Sequence, residues 1–183
     1  MWLNILLGII ALVVIVFVWG ILHLRHSQKV ALREIARVQL DEIPGLCQEC
    51  ITGFREHFEE TLDLENFEAT AKTFSDRLDD SESLKKAFAK DEFYWYFVLP
   101  TGAFLGELLR KRVGGDWVLA EEDDGAPELH LTVGEEAVTT FPFDKIIKQV
   151  TIGDPGDVYA YLVSSTQLDR IVAEAESESD TGI

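Results

Sequence analysis

Two cysteines, Cys47 and Cys50, form a C-x-x-C motif in the segment IPGLCQECITGF, and they are the only cysteines of the chain. A thioredoxin-like redox site needs this motif where a strand meets a helix, because the helix amino terminus stabilises the thiolate. No strand is predicted before this motif. A zinc site would need four ligands, and in the predicted soluble domain His57 and His130 are the only candidate histidines. The i, i+3 spacing favours two small apolar residues on one helix face, so we expect no metal and no cofactor, and thiol redox chemistry stays an alternative.

A second pair of side chains, Glu107 and His130, has the chemistry of a general acid and a general base. A lone glutamate after a glycine more often pairs with an arginine or a backbone amide. His130 alternates with leucines in LHLTV, which turns its side chain towards water in a strand. We therefore predict no catalytic residue and keep four candidates: Cys47, Cys50, Glu107 and His130.

The first half of the domain has the apolar periodicity of amphipathic helices. One predicted helix covers residues 46–62, a second covers 64–78, and a third begins near Leu84. The Pro44–Gly45 pair is able to start the first of them, with Cys47 in its first turn. The two cysteines are thus expected on a helix.

The most apolar part of the domain is Glu92 to Arg112, EFYWYFVLPTGAFLGELLRKR. We expect its aromatic run to be buried, with Pro100 breaking or bending the helix and Thr101 capping the part that follows. Gly102 and Gly106 form a stripe of small residues that lets another element of the same domain approach closely. Glu107 follows this stripe.

The helical periodicity of the apolar residues ends at Gly114 and Gly115. The short segments that follow are rich in β-formers and predict an antiparallel meander. Helices are predicted again at 145–150 and from residue 158. The predicted fold class is α+β, with a single N-terminal transmembrane helix followed by a helical region packed with a small antiparallel sheet. The three predicted strands are Trp117–Ala120, Leu129–Val133 and Ala137–Phe141.

Trp2 to Leu24 has no charged side chain and is long enough to cross a bilayer as a helix. It lacks the basic start and the small-residue cleavage site of a signal peptide, so we predict an uncleaved anchor in the inner (plasma) membrane. Basic residues follow the segment, which indicates an amino terminus outside and a cytoplasmic domain. They are Arg25, Lys29, Arg33 and Arg37.

The predicted domain organisation has four parts. Residues 2–24 are the transmembrane anchor and residues 25–43 a juxtamembrane helical stalk. Residues 44–165 form an acidic α+β soluble domain, and residues 173–183 an acidic tail with the composition of a disordered segment.

Charge is distributed unevenly along the chain. The formal net charge is −17, and because residues 1–37 carry +3, the remainder carries −20. Such a domain repels phosphate backbones, which argues against a nucleic-acid partner, and it attracts basic proteins. We expect a protein partner, a basic one fitting best.

Part of the chain, about Tyr94 to Leu162, resembles a bacterial domain-of-unknown-function family with a G-x-x-L-G-E, G-x-W and F-P pattern. That family has no assigned activity, so the resemblance implies an α+β fold and bacterial origin and assigns no catalytic residue. The matching positions are Gly102, Leu105, Gly106, Glu107, Gly115, Trp117, Phe141, Pro142, Ile146, Gly153 and Asp157.

Three functions follow as hypotheses. The one we favour is a single-pass membrane protein whose acidic domain binds a protein partner, as an adaptor, an accessory subunit or a neutralising partner. The second is a membrane-tethered enzyme that uses the thiol pair, or Glu107 with His130; whether the chain is an enzyme stays open, with a non-enzyme favoured. The third is a structural protein that self-associates, so a homo-oligomer stays open too.

Overall fold

The protein is described by a computed structural model that covers residues 33–80, 93–121, 125–133, 136–151, 153 and 156–167. In chain order, a helical first half is followed by three consecutive strands and then by two further helices. They are α1 (Ile43–Phe58), α2 (Phe67–Asp79), a π-helical turn (Tyr94–Val98), α3 (Leu99–Val113), β1 (Gly115–Leu119), β2 (Pro127–Val133), β3 (Glu136–Thr140), α4 (Pro142–Thr151) and α5 (157–167).

The central element is α3, in which every residue from Leu99 to Leu109 is buried. It packs against α1, α4 and β2, so the other elements surround it. The helices around it are amphipathic: α1 buries Ile43, Cys47, Cys50 and Phe54, which recur at helical spacing along one face. The core therefore lies around α3.

Pro100 lies inside a continuous helical segment, so of the two predicted effects, a break or a bend, the break is absent. A proline lacks the N–H and crowds the carbonyl one turn earlier. The π-helical turn accommodates it, since the Leu99 N–H donates to the Tyr94 carbonyl five residues back. Thr101 consequently caps nothing; it lies within α3 and is 1% exposed.

The three strands form an antiparallel sheet in the order β1-β2-β3. In the register, Trp117 faces Leu129 and Asp116 faces His130. Alternate residues of β2 are buried, starting with Pro127, so one face of the sheet covers the core and the other turns outward. The meander expected from the sequence is present, with strand ends shifted by a few residues.

The glycine stripe of α3 is the contact surface for two other elements, as the sequence predicts. A Cβ on Gly102 would lie 2.4 Å from the Phe143 ring of α4, and a Cβ on Gly106 would lie 2.1 Å from the Trp117 ring of β1. Only glycine permits approaches of this kind. Both contacts are within the chain, so the stripe serves intramolecular packing.

The predicted fold class was wrong in its membrane-spanning part. Within the ranges that the structure describes, no helix combines the length and apolarity that crossing a bilayer requires. The described chain is helical with a three-stranded antiparallel sheet, which is an α+β arrangement. Trp2 to Leu24, the helix expected near Leu84 and the tail 173–183 lie outside the described residues.

The described part of the predicted stalk is a short helical piece at 33–35 followed by turns, rather than one continuous helix. Ile35 and Val38 are each 2% exposed and belong to the core. Their burial explains the turns, because a straight helix would have carried these side chains away from the domain.

Candidate functional site

A pocket of about 310 Å³ lies between α1 and the π-helical turn that leads into α3. Its wall from α1 follows one helix face over about two and a half turns, and its other wall comes from the π-helical turn and the start of α3. The lining residues are Glu49, Cys50, Gly53, Phe54, His57, Phe58, Tyr96, Phe97, Pro100 and Thr101.

Two large aromatic side chains lie exposed in the π-helical turn beside this pocket. Trp95 is 46% exposed and Tyr96 is 68% exposed, although Phe97 next to them is buried. The prediction that the whole aromatic run is buried was therefore wrong for these two. A helix has one face towards the core, so a run of seven apolar and aromatic residues necessarily turns some of them outward.

Gly53 leaves open space in the middle of the α1 wall. A Cβ built on it meets nothing within 4 Å, which contrasts with the glycines of α3. Glu49 and His57, one turn to either side, are exposed at the pocket. The pocket thus has an apolar interior, a titratable rim and free volume above the helix.

The pocket opens on the most acidic part of the described chain. Residues 41–80, which contain α1 and α2, hold twelve Asp and Glu against three Lys and Arg, a net charge of −9. Arg77, one of the three, is already paired with Glu60 at 2.6 Å. The field at the pocket is therefore negative.

The thiol pair lies on the inner face of α1, and both cysteines are free and buried. Burial raises the pKa of Cys47 to about 12; the Glu107 carboxylate adds to the rise, and the Arg110 guanidinium opposes it. Burial also raises the pKa of Cys50 well above its ordinary value, with Cys47 adding to the rise and a hydrogen bond from Thr101 lowering it. Thiols held protonated in this way are poor nucleophiles.

The Glu107 carboxylate, which interacts electrostatically with Cys47, accepts hydrogen bonds from two side chains. Arg110 donates from Nε at 3.0 Å and from Nη2 at 2.9 Å, and the Trp117 indole donates at 2.8 Å. The residue is 8% exposed, and both carboxylate oxygens accept hydrogen bonds from these two partners. This is the arginine pairing expected from the sequence, with an indole that sequence reasoning missed.

His130 lies apart from Glu107. It stands opposite Asp116, whereas Trp117, which contacts Glu107, stands opposite the buried Leu129, so the two candidates belong to opposite faces of the sheet. Its Nε2 lies 2.8 Å from Glu128, and its side chain is 38% exposed. The structure thus brings Cys47, Cys50 and Glu107 together and leaves His130 outside.

No group of three or more His, Cys, Asp and Glu side chains is placed to hold a metal ion within the described part of the chain. His57 lines the same pocket as Cys50 but is exposed, while Cys47 lies on the side of Glu107. The donors that a zinc site would need are therefore spread over separate surroundings.

Comparison with known proteins finds no family model that matches the chain, no similar curated protein and no similar solved structure. The resemblance to a family of unknown function stays a prediction. One feature of the sequence could have indicated the pocket. The aromatic run before Pro100 is longer than one helix face can bury.

Proposed function

We propose that the acidic domain of this chain is a protein-binding module, and that it engages its partner at the pocket between α1 and the π-helical turn. The observation that carries the proposal is Tyr96, which lines that pocket and is 68% exposed, with the exposed Trp95 next to it in the π-helical turn. Large aromatic side chains next to an apolar depression are typical of the residues that dominate binding energy at interfaces.

The charge of the domain supports the same function. An acidic surface accelerates the encounter with a basic partner and makes the complex sensitive to salt, whereas the apolar pocket supplies affinity that salt does not remove. The combination fits an adaptor, an accessory subunit or a neutralising partner.

The state of the candidate catalytic groups argues against the enzyme hypothesis. The two thiols have raised pKa values, which disfavours the thiolate that redox chemistry requires. Glu107 is occupied by Arg110 and Trp117, and His130 belongs to the other face of the sheet. These groups are better explained as packing and as a buried hydrogen-bond network.

The test is a pull-down of the tagged full-length chain at about 50 mM and about 500 mM salt, with the co-purifying proteins quantified by mass spectrometry. We expect one near-stoichiometric partner that is retained at low salt and depleted at high salt. Tyr96→Ala should lower its recovery at least tenfold, as loss of a central aromatic anchor does. Tyr159→Ala is the matched control, since Tyr159 is 44% exposed on α5. Recovery of the chain alone, or equal recovery with both variants, would refute the proposal.

A further inference from the structure

We infer that the segment bound at this pocket is a basic amphipathic helix, which lies along α1 and inserts one or two large apolar side chains above Gly53. This inference rests on the proposed function and specifies the chemistry of the partner. It follows from the shape of the groove, from the helical structure of both its walls and from the charge along its edge.

The groove has the dimensions of a helix-binding site. Its α1 wall runs from Glu49 to Phe58, ten residues and about 13 Å along the axis at about 1.5 Å per residue step. A partner helix of about three turns would lie beside it with anchors at i and i+3 or i+4. Gly53, in the middle of the wall, removes the side chain that would otherwise keep the partner backbone away.

Backbone hydrogen bonding favours a helix over an extended peptide. An extended peptide gains affinity by pairing with a free strand edge. Both walls of this groove are helical, so neither of them offers a strand edge to an extended peptide. An extended segment would leave its own amides without partners, whereas a helix satisfies them internally.

Acidic side chains recur at helical spacing along the edge of the groove. Glu49 and Glu56 are seven residues apart, which places them along one side of α1, and both are exposed. Lysine or arginine side chains on the polar face of the bound helix would lie against this row. The apolar floor and the acidic edge together select a helix that is apolar on one face and basic on the other.

Photo-crosslinking in the cells that naturally contain the full chain tests this inference. Tyr96 is replaced by p-benzoylphenylalanine, an aromatic residue of similar shape, and the crosslinked peptides are sequenced by mass spectrometry. The same replacement at Tyr159 is the control. We expect Tyr96 alone to crosslink to a protein segment of net positive charge with large apolar residues at i and i+3 or i+4. Gly53→Leu in the same chain should lower the yield at least tenfold by filling the groove.

The other outcomes separate this inference from the proposed function. A crosslink to an acidic or uncharged protein segment would overturn the basic helix and leave protein binding at the pocket intact. A crosslink to lipid, to a second copy of this chain, or to nothing beyond the Tyr159 control would overturn both. A yield unchanged by Gly53→Leu would show that the crosslinked segment lies outside the groove. That result would also overturn the inference.

Discussion

Two glycine-to-alanine changes in helices should have opposite effects on stability, because the two glycines face different surroundings. A Cβ on Gly53 meets nothing within 4 Å, so Gly53→Ala gains only the higher helix propensity of alanine, about 0.5–1 kcal/mol. A Cβ on Gly106 would lie 2.1 and 2.3 Å from two atoms of the Trp117 ring. Ordinary carbon contacts are about 3.5–4.0 Å, so the indole must move by roughly 1.5 Å.

That movement has two consequences for the core. Overpacking of this kind costs about 1–3 kcal/mol. The same displacement stretches the 2.8 Å hydrogen bond from Trp117 to Glu107, a bond to a charged group that contributes about 1.5–3 kcal/mol. After subtraction of the propensity gain, Gly106→Ala should lower the free energy of unfolding by about 2–4 kcal/mol, which corresponds to a fall in Tm of roughly 10 °C.

Urea unfolding of both variants and of the parent full-length chain measures these effects. The double variant Gly106→Ala with Trp117→Leu is the decisive control, because without the indole the added methyl should cost less than about 1 kcal/mol relative to Trp117→Leu alone. A Gly106→Ala chain as stable as the parent would refute the close packing of α3 against β1.

The remaining predictions concern other parts of the molecule. Glu107→Gln should lower the free energy of unfolding by about 2 kcal/mol in urea unfolding. The amide loses the charge that strengthens three hydrogen bonds, and its NH2 group faces the donors of Arg110 and Trp117. Asp79→Ala should cost about 1–3 kcal/mol in the same assay, because Asp79 accepts from a glutamine of α4 at 3.0 Å and from a backbone N–H before α5 at 2.9 Å. Cys47 and Cys50 should react with an alkylating reagent at pH 8 far more slowly in the native chain than in urea. The pKa of Cys47 is raised from 9.0 to about 12 in the folded chain, so the unfolded chain loses this proton first as the pH rises. The free energy of unfolding should therefore fall between pH 9 and pH 12, and it should fall less in Cys47→Ala.

The features that followed from the sequence are those set by local pattern. Helical periodicity places the helix that carries the cysteines, and the two glycines after Val113 mark the change to strands, with Gly114 at φ 91 and Gly115 at φ 126. The need for small residues at a close crossing identified Gly102 and Gly106. Each of these depends on residues within a few positions of one another.

The features that the sequence left undetermined depend on tertiary contacts. Pro100 alone indicates a break or a bend, and only the π-helical turn before it keeps the helix continuous. The aromatic run indicates burial as a whole, and only the tertiary structure shows that Trp95 and Tyr96 are exposed. Glu107 and His130 belong to opposite faces of the sheet, and this follows only from the strand register, which the sequence did not specify.

The central claim is that the pocket between α1 and the π-helical turn binds a protein, and Gly53 offers the most direct test of it. Gly53→Leu fills the pocket, whereas Gly45→Leu makes the same change on the same helix at a position that is also open and does not line the pocket. In a low-salt pull-down of the full-length chain, we predict that Gly53→Leu lowers partner recovery at least tenfold and that Gly45→Leu leaves it unchanged. Equal recovery with the two variants would contradict the claim.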